Sequence, residues 1–215
     1  MKKALYLGTD PSCFVHNKPL IHYPIIRLIP KSSQDLEVQR ALMQLSSYFL
    51  CLFTSKNAVH ILFSLAKELS LSPGELLAGK CVSIGPSTTK ALKEHGVDST
   101  LEAFPNTQEG MIDLLKEISL EKQAVFYPRS SLARPLLSSY LIEALATSYV
   151  LDLYDTEIQP QGEPPSLENI EEIIFTSPST VEGFFSLFSE FPSGIRPVFQ
   201  GPITEKAFYR RINKK

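Results

Sequence analysis

The chain has 215 residues and a formal charge of −2, because 21 Lys and Arg residues stand against 23 Asp and Glu residues. Hydrophobic residues make up 43% and charged residues 20% of the chain, which predicts a globular protein with a sizeable core. The balanced charge excludes the basic surface that general nucleic-acid binding needs, so no nucleic-acid partner is expected. The length allows one large domain or two small ones.

Cysteine usage and the N-terminal sequence predict the compartment. Cys13, Cys51 and Cys81 have no metal-ligand spacing and are predicted to be free thiols in a reducing environment. The apolar run after Lys3 ends at Gly8 and is too short for the core of a signal peptide. No run approaches the roughly 20 apolar residues of a membrane span. We therefore expect a cytoplasmic protein with no membrane partner.

Strand-like and helix-like segments alternate along the chain. Short β-branched or aromatic runs predict strands at 4–7, 48–54, 80–84, 99–103, 124–127, 149–154 and 173–176. Apolar residues at helical spacing predict helices at 34–46, 58–69, 88–94, 107–118, 132–146, 179–190 and 204–211. Such alternation favours the α/β class, in which a mostly parallel sheet has helices on both faces.

Two motifs occur twice, in the same order. FTSKNAV at 53–59 returns as FTSPSTV at 175–181, and GPSTTKAL at 85–92 returns as GPITEKAF at 201–208. In each copy an apolar strand runs into a helical pattern. Two matches in one order indicate two homologous α/β halves.

Each repeated motif predicts a helix N-terminus at the carboxyl end of a strand. Ser55 and Ser177 occupy N-cap positions, Pro178 suits the first helical position, and Ser87 or Thr88 and Thr204 are predicted to open the other two helices. A helix N-terminus presents unpaired N–H groups and about half a positive charge, so it binds carboxylate or phosphate. Ordinary capping remains the alternative for each motif taken singly.

Other chemical signatures are weaker. No dinucleotide or P-loop glycine motif occurs, and the four histidines show no metal-ligand spacing. Arg129, together with Arg134, is a candidate partner for carboxylates, with solvated surface charge as the alternative. Tyr154 ends a strand and is a candidate hydrogen-bond donor or weak general acid, with a half-buried structural tyrosine as the alternative.

Taken together, the two FTS helix starts, the SIGPSTTKAL run at 83–92, its copy at 201–208, Tyr127-Pro128-Arg129 and the strand ending in Tyr154 resemble the uroporphyrinogen-III synthase family. The resemblance implies two similar three-layer, flavodoxin-like domains with parallel sheets, joined by a two-stranded linker. Residues 1–29 and 157–215 would form a discontinuous domain one, reduced by the absence of the usual last strand and helix. Residues 30–156 would form the inserted domain two, with crossing strands near 23–30 and 149–157.

The same resemblance implies a function. Members of the family cyclise hydroxymethylbilane, a linear tetrapyrrole with eight carboxylates, with inversion of ring D and loss of water, in the pathway to haem. They need no metal or organic cofactor. By similarity Tyr154 would be catalytic, assisting departure of the hydroxyl. The residues expected to bind substrate are Thr54, Ser55, Asn57, Gly85, Ser87, Thr88, Arg129, Ser177, Ser179, Gly201 and Thr204.

No long apolar surface helix or heptad seam suggests an obligate assembly, so a monomer is expected. The resemblance adds transient contact with the preceding enzyme of the pathway. Two alternatives remain at this level. The first is a non-catalytic clamshell module that binds a tetrapyrrole or another polycarboxylate, suggested by the reduced domain one. The second is a hinged sensor of a smaller anion, with a single occupied helix N-terminus.

Overall fold

The structure, a computed structural model, describes residues 2–12, 14–77, 81–97 and 100–213. The predictions made for Cys13, for Lys80 as the start of a strand and for residue 99 lie outside the described residues. As predicted, Cys51 and Cys81 are buried, and neither is in a disulfide among the described residues. Burial raises the pKa of the Cys81 thiol to about 12.

The strands follow the predicted order, with two additions. In chain order they are β1 (Lys3–Tyr6), β2 (Leu20–His22), β3 (Ile26–Pro30), β4 (Leu50–Phe53), β5 (Cys81–Ser83), β6 (Thr100–Glu102), β7 (Ala124–Ser130), β8 (Thr147–Ile158), β9 (Ile170–Phe175) and β10 (Arg196–Phe199). The short strands β2 and β10 were not predicted. Each contains or follows a proline, a residue that weakens a strand pattern.

Every predicted helix is confirmed. The helices are α1 (Leu36–Met43), α2 (Lys56–Glu68), α3 (Pro73–Leu77), α4 (Pro86–Glu94), α5 (Gln108–Leu115), α6 (Leu136–Glu143), α7 (Pro178–Leu187) and α8 (Pro202–Ile212). Only the short α3 was not expected. The described residues include no helix long and apolar enough to cross a membrane.

By its internal contacts the chain divides into two units. The outer unit comprises Met1–Leu28 and Thr156–Lys215, and the inserted unit comprises Ile29–Asp155. Strands β3 and β8 are neighbours in one sheet, and each contains a boundary between the units. The α/β fold with a two-stranded connection is thus confirmed, whereas the exact domain bounds stay a prediction.

The inserted unit is built on the six-stranded sheet β3-β8-β7-β4-β5-β6. The register is parallel for β4 with β5, β4 with β7, β5 with β6 and β7 with β8. Leu50 and Leu52 face a core that includes Met111 of α5 and Leu137 of α6. Helices α2 and α4 pack against strands β4 and β5. Because parallel strands end at the same edge, this sheet brings the segments after β4, β5 and β7 to one edge of the inserted unit.

The outer unit has the four-stranded sheet β10-β9-β1-β2, with every pairing parallel. One face carries an aromatic core in which Phe175 of β9 packs with Phe184 of α7 and Phe208 of α8. The opposite face is smaller. There Tyr6 lies against Phe14, whose segment connects β1 to β2 without a helix among its described residues.

The internal repeat extends to a contact that the sequence motifs did not include. In the inserted unit His60 Nδ1 lies 3.1 Å from His95 Nε2, and the His95 ring stacks on the ring of Phe63. At the corresponding positions of the second copy, Glu182 pairs with Arg211, and Arg211 lies over the ring of Phe185. The helix pairs α2–α4 and α7–α8 are therefore joined at equivalent places by different chemistry, which supports a common origin for the two halves.

A buried carboxylate fastens the smaller face of the outer sheet. Glu172 of β9 is 2% exposed and lies 2.6 Å from His16 Nε2 and 2.5 Å from Lys18 Nζ. Arg196 of β10 also donates to it. Burial alone would raise the pKa of Glu172, but the hydrogen bonds from Lys18 and Arg196 outweigh it and lower the pKa to about 2. The carboxylate thus ties the β1–β2 connection to two strands.

Glu172→Gln is therefore expected to destabilise the outer unit by about 1–3 kcal/mol at pH 7, because Lys18 and Arg196 lose their charged acceptor. Since the folded-state pKa lies near 2, below the ordinary 4.5, the stabilisation is complete above about pH 4.5 and is lost as the pH falls towards 2. Urea unfolding of both proteins between pH 7 and pH 3 measures this difference.

Glu171→Gln is the matched control, because Glu171 precedes Glu172 on the same strand. Its side chain is 34% exposed and pairs with Lys2 and Lys18 at the surface. We expect no measurable change in stability for this variant. Equal effects of the two substitutions, or a difference as large at pH 3 as at pH 7, would contradict the role given to Glu172.

Candidate functional site

The first FTS motif forms a capped helix start at the carboxyl end of β4. Ser55 is the N-cap of α2, and its Oγ accepts hydrogen bonds from Asn57 N at 3.0 Å and Ala58 N at 3.3 Å. The predicted N-cap is confirmed. Thr54, Ser55 and Asn57 are all half-buried, so the helix start lies at the surface of the inserted unit.

Tyr154 of β8 meets this helix start. Its hydroxyl lies 3.1 Å from Ser55 Oγ, although 99 residues separate the two in the chain. The side chain is 5% exposed, so it is buried and not half-buried as the structural alternative supposed. Burial raises the pKa of Tyr154, while hydrogen bonds with Ser55 and Ser130 act in the opposite direction. The phenol therefore keeps its proton at neutral pH.

A second tyrosine lies behind Thr54. Tyr127 of β7 is fully buried, and its hydroxyl is 3.3 Å from Thr54 Oγ1 and 3.4 Å from Gln108 Nε2. Tyr127 was predicted only as part of a motif, and Gln108 was not predicted as a site residue. The available signal for Tyr127 was the predicted end of its strand at 127, although β7 continues to Ser130, whereas Gln108 has no local signal.

Arg129 and Arg134 are both paired within the inserted unit. Arg129 Nε donates to Asp152 at 2.7 Å, and its NH1 donates to Ser138 at 3.3 Å. Arg134 binds Glu109 through two hydrogen bonds of 2.6 and 2.9 Å, and this partner holds the pKa of Glu109 at about 2. Arg129 is thus neither a solvated surface charge nor an unpaired cation.

The Gly-Pro motifs start their helices two residues earlier than expected. The N-caps are Gly85 and Gly201, and the first helical residues are Pro86 and Pro202, in place of openings at Ser87, Thr88 or Thr204. Proline fits the first helical position because it needs no N–H partner there. Gly201 has a φ of +107°, which requires glycine.

As a consequence, Thr88 and Thr204 lie in the third helical position and their side chains are buried. The N–H of Thr88 donates to Gly85 O at 3.0 Å. These two threonines therefore serve the helix starts themselves. Ser87 is exposed and remains available at the surface of the first Gly-Pro turn.

The second FTS motif caps α7 in the outer unit. Ser177 Oγ accepts from Thr180 N at 3.4 Å, and Thr180 Oγ1 accepts from Ser177 N at 3.2 Å, which completes a capping box. The predicted N-cap at Ser177 and the proline at the first helical position are confirmed. Ser179 follows on the first turn and is half-buried.

The predicted residues are divided between the two units. The inserted unit holds Thr54, Ser55, Asn57, Gly85, Ser87, Thr88, Arg129 and Tyr154, and among these residues the structure shows a side-chain bond between Ser55 and Tyr154. The outer unit holds Ser177, Ser179 and Gly201 at the carboxyl ends of β9 and β10. The described residues include no cluster of three or more metal-ligating side chains.

Comparison with known proteins agrees with this arrangement. A protein of Ruminiclostridium josui named porphyrin biosynthesis protein HemD is 26% identical over 203 residues, covering 89% of this chain and 37% of that protein. A relative from Methanothermobacter thermautotrophicus, provisionally named as a uroporphyrinogen-III synthase, is 31% identical over 147 residues. That match covers 64% of this chain and 56% of the relative, so the matched region spans about half or less of these curated proteins.

Solved structures share the fold. Uroporphyrinogen III synthase from Thermus thermophilus superposes with a TM-score of 0.63 at 18% identity, covering 98% of this chain and 89% of that one. The enzyme from Helicobacter pylori gives a TM-score of 0.60 at 20% identity, covering the same shares. The family model described as uroporphyrinogen-III synthase HemD matches residues 19–211. This chain belongs to the uroporphyrinogen-III synthase family.

Proposed function

We propose that this chain cyclises hydroxymethylbilane to uroporphyrinogen III, with inversion of ring D and loss of water, as a lyase of tetrapyrrole and haem biosynthesis. The family match over residues 19–211 supports the reaction class. The bond between Tyr154 and the α2 N-cap carries the proposal, because it places a proton donor beside an anion-binding helix start.

The direction of hydrogen bonding supports a donor role for Tyr154. A serine hydroxyl has one proton and two acceptor positions, and Ser55 Oγ already accepts from Asn57 N and Ala58 N. Its own proton is then free to go to the Tyr154 oxygen. The phenolic proton is consequently directed away from Ser55, towards Ser130 or a leaving hydroxyl.

Substrate charge fits the helix starts. Hydroxymethylbilane carries carboxylates, and the N-termini of α2, α4, α7 and α8 offer backbone N–H groups with the positive end of the helix dipole. Of the predicted binding residues we retain Thr54, Ser55, Asn57, Gly85 and Ser87 in the inserted unit. In the outer unit we retain Ser177, Ser179 and Gly201. We propose that Thr88 and Thr204 act through their helix starts, and that Arg129 supports the Tyr154 strand through Asp152.

Catalysis would depend on geometry and fixed dipoles. The bilane closes by itself to the symmetric type I isomer, so the enzyme has to hold the azafulvene and the ring D spiro intermediate in one geometry. Tyr154 would assist departure of the hydroxyl that gives the azafulvene. We further propose a cytoplasmic monomer that binds no nucleic acid and makes transient contact with the enzyme supplying its unstable substrate.

One observation favours a different function. Tyr154 is 5% exposed and its hydroxyl is already bonded, as a purely structural tyrosine would be. A non-catalytic module that binds a tetrapyrrole would then retain affinity without turnover.

The isomer assay separates the two functions. Hydroxymethylbilane is supplied to the full chain, the products are oxidised, and the type I and type III porphyrins are separated and quantified. The cyclising enzyme yields mainly type III at a rate above the uncatalysed reaction. Type I alone at the uncatalysed rate overturns the enzyme, and tight tetrapyrrole binding in the same sample identifies the binding module.

A further inference from the structure

The side chains of Gln108, Tyr127 and Thr54 form a hydrogen-bonded series, the polar chain, that ends at the α2 helix start. Gln108 Nε2 donates to Tyr127 OH at 3.4 Å, and Tyr127 OH lies 3.3 Å from Thr54 Oγ1. Gln108 is 6% exposed and Tyr127 is fully buried, so water does not reach these atoms freely. The carbonyl oxygen of Gln108 is buried with no hydrogen-bond partner in the described structure.

The donors and acceptors of these side chains orient the hydrogen bonds of the polar chain in one direction. The amide nitrogen of Gln108 has protons and no acceptor position, so the Tyr127 oxygen accepts from it. Tyr127 is fully buried, and Thr54 Oγ1 is the acceptor within reach of its hydroxyl, so its one proton goes to Thr54 Oγ1. Thr54 in turn accepts from Tyr127, and its own proton must find an acceptor other than Tyr127.

The burial of Tyr127 preserves that direction of hydrogen bonding. Burial raises the pKa of Tyr127, so the phenol remains a neutral donor at physiological pH. Thr54 is half-buried and directly precedes the N-cap Ser55, so its proton is presented at the same helix start as Tyr154.

The second copy of the motif lacks this arrangement. Thr176 corresponds to Thr54, and its N–H donates to Thr180 Oγ1 at 3.1 Å, beside the capping box. No tyrosine bond to Thr176 is found among the described residues. The ordered threonine hydroxyl is therefore a feature of the inserted unit and not of helix capping in general.

We infer that Tyr127 and Gln108 are positioning residues that orient the Thr54 hydroxyl as a donor to a substrate carboxylate. The inference rests on the proposed function and deepens it by assigning one carboxylate contact to Thr54. It predicts that breaking or reversing the chain weakens binding of the tetrapyrrole and leaves the chemical step unchanged.

Tyr127→Phe tests the inference with the smallest change in shape. We expect KM for hydroxymethylbilane to rise about tenfold, because a hydroxyl that is no longer held as a donor loses much of a hydrogen bond to a charged group. The kcat should stay within about twofold, since Tyr127 does not touch the reacting atoms. Affinity for uroporphyrinogen III, measured by equilibrium binding, should fall by a similar factor.

Two substitutions of Gln108 test the direction of the chain. Gln108→Glu replaces the amide donor by a carboxyl group, whose oxygen accepts the Tyr127 proton in competition with Thr54. Gln108→Leu removes the amide without imposing the reverse direction. We expect a larger loss of affinity for the glutamate variant than for the leucine variant. Gln39→Leu is the control, because its amide donates to the Ser33 carbonyl in the same unit.

The readouts separate the inference from the proposed function. Affinity for uroporphyrinogen III that is unchanged in folded Tyr127→Phe overturns the inference, whatever the wild type does with hydroxymethylbilane. A wild type that yields only the type I isomer overturns the proposed function; the inference still stands if binding weakens in the stated order. A loss of affinity that follows the melting temperature of each variant indicates a structural role for these residues and also overturns the inference.

Discussion

Replacing Tyr154 by phenylalanine is expected to slow type III formation by about 100-fold or more, the usual contribution of a positioned proton donor. The substitution removes one oxygen and keeps the ring, so the buried packing of β8 is preserved. The Ser55 hydroxyl loses its partner at 3.1 Å, but it keeps its bonds to Asn57 N and Ala58 N. The effect should therefore appear in kcat, with KM nearly unchanged.

Tyr149→Phe is the matched control for this variant. Tyr149 lies on the same strand, and its hydroxyl donates to the Glu37 carbonyl at 3.3 Å, away from the helix start. We expect wild-type kcat and the wild-type isomer ratio for it. Because the pKa of Tyr154 is raised above 10, no loss of wild-type activity with rising pH should come from this phenol below pH 10. An unchanged kcat in Tyr154→Phe would remove the residue from catalysis.

The internal repeat made the fold predictable from the sequence. An apolar strand followed by Thr-Ser gives a local signal, because the N-cap hydroxyl and the first N–H groups are neighbours in the chain. Both Ser55 and Ser177 therefore cap helices as predicted. The Gly-Pro helices were located but opened too late, since hydroxyl residues were taken as the caps where a glycine followed by proline begins the helix.

Contacts between distant segments were less predictable. The strand β2 is only three residues long and follows Pro19, so its alternation is too short to detect. The burial of Glu172 depends on His16 and Lys18, which reach it from a segment more than 150 residues away in the chain. No local pattern predicts that a glutamate will lie inside a sheet face.

The candidate site shows the same limit. Tyr154 was selected as the predicted end of a strand, although β8 continues to Ile158, and Ser55 was selected because it begins a helix. Their contact depends on β7 lying between β8 and β4 in the sheet, which no local pattern shows. Arg129 was predicted to meet a substrate carboxylate, yet its nearest carboxylate is Asp152 on the adjacent strand. Charge alone does not distinguish an internal partner from a ligand.

The outer unit depends on aromatic packing, and Phe208→Ala is expected to destabilise it by about 3–5 kcal/mol. Phe208 is 2% exposed, and its ring centroid lies 4.9 Å from that of Phe191, 5.2 Å from that of Phe199 and 5.4 Å from that of Phe175. Truncation leaves a cavity among rings carried by β9, β10 and the segment that follows α7. In a four-stranded sheet few other side chains can fill it.

Hydrogen exchange measures the effect in each unit separately. Amides of β9 should exchange faster in Phe208→Ala, whereas those of β4 should be unchanged, because β4 belongs to the inserted unit. Tyr209→Ala is the control on the same helix, since Tyr209 is 45% exposed and its loss leaves little cavity. Equal acceleration of β9 by both variants would show that the core does not depend on Phe208. Selective acceleration would show that α8, and with it the Gly201 helix start, is held on the sheet by this ring.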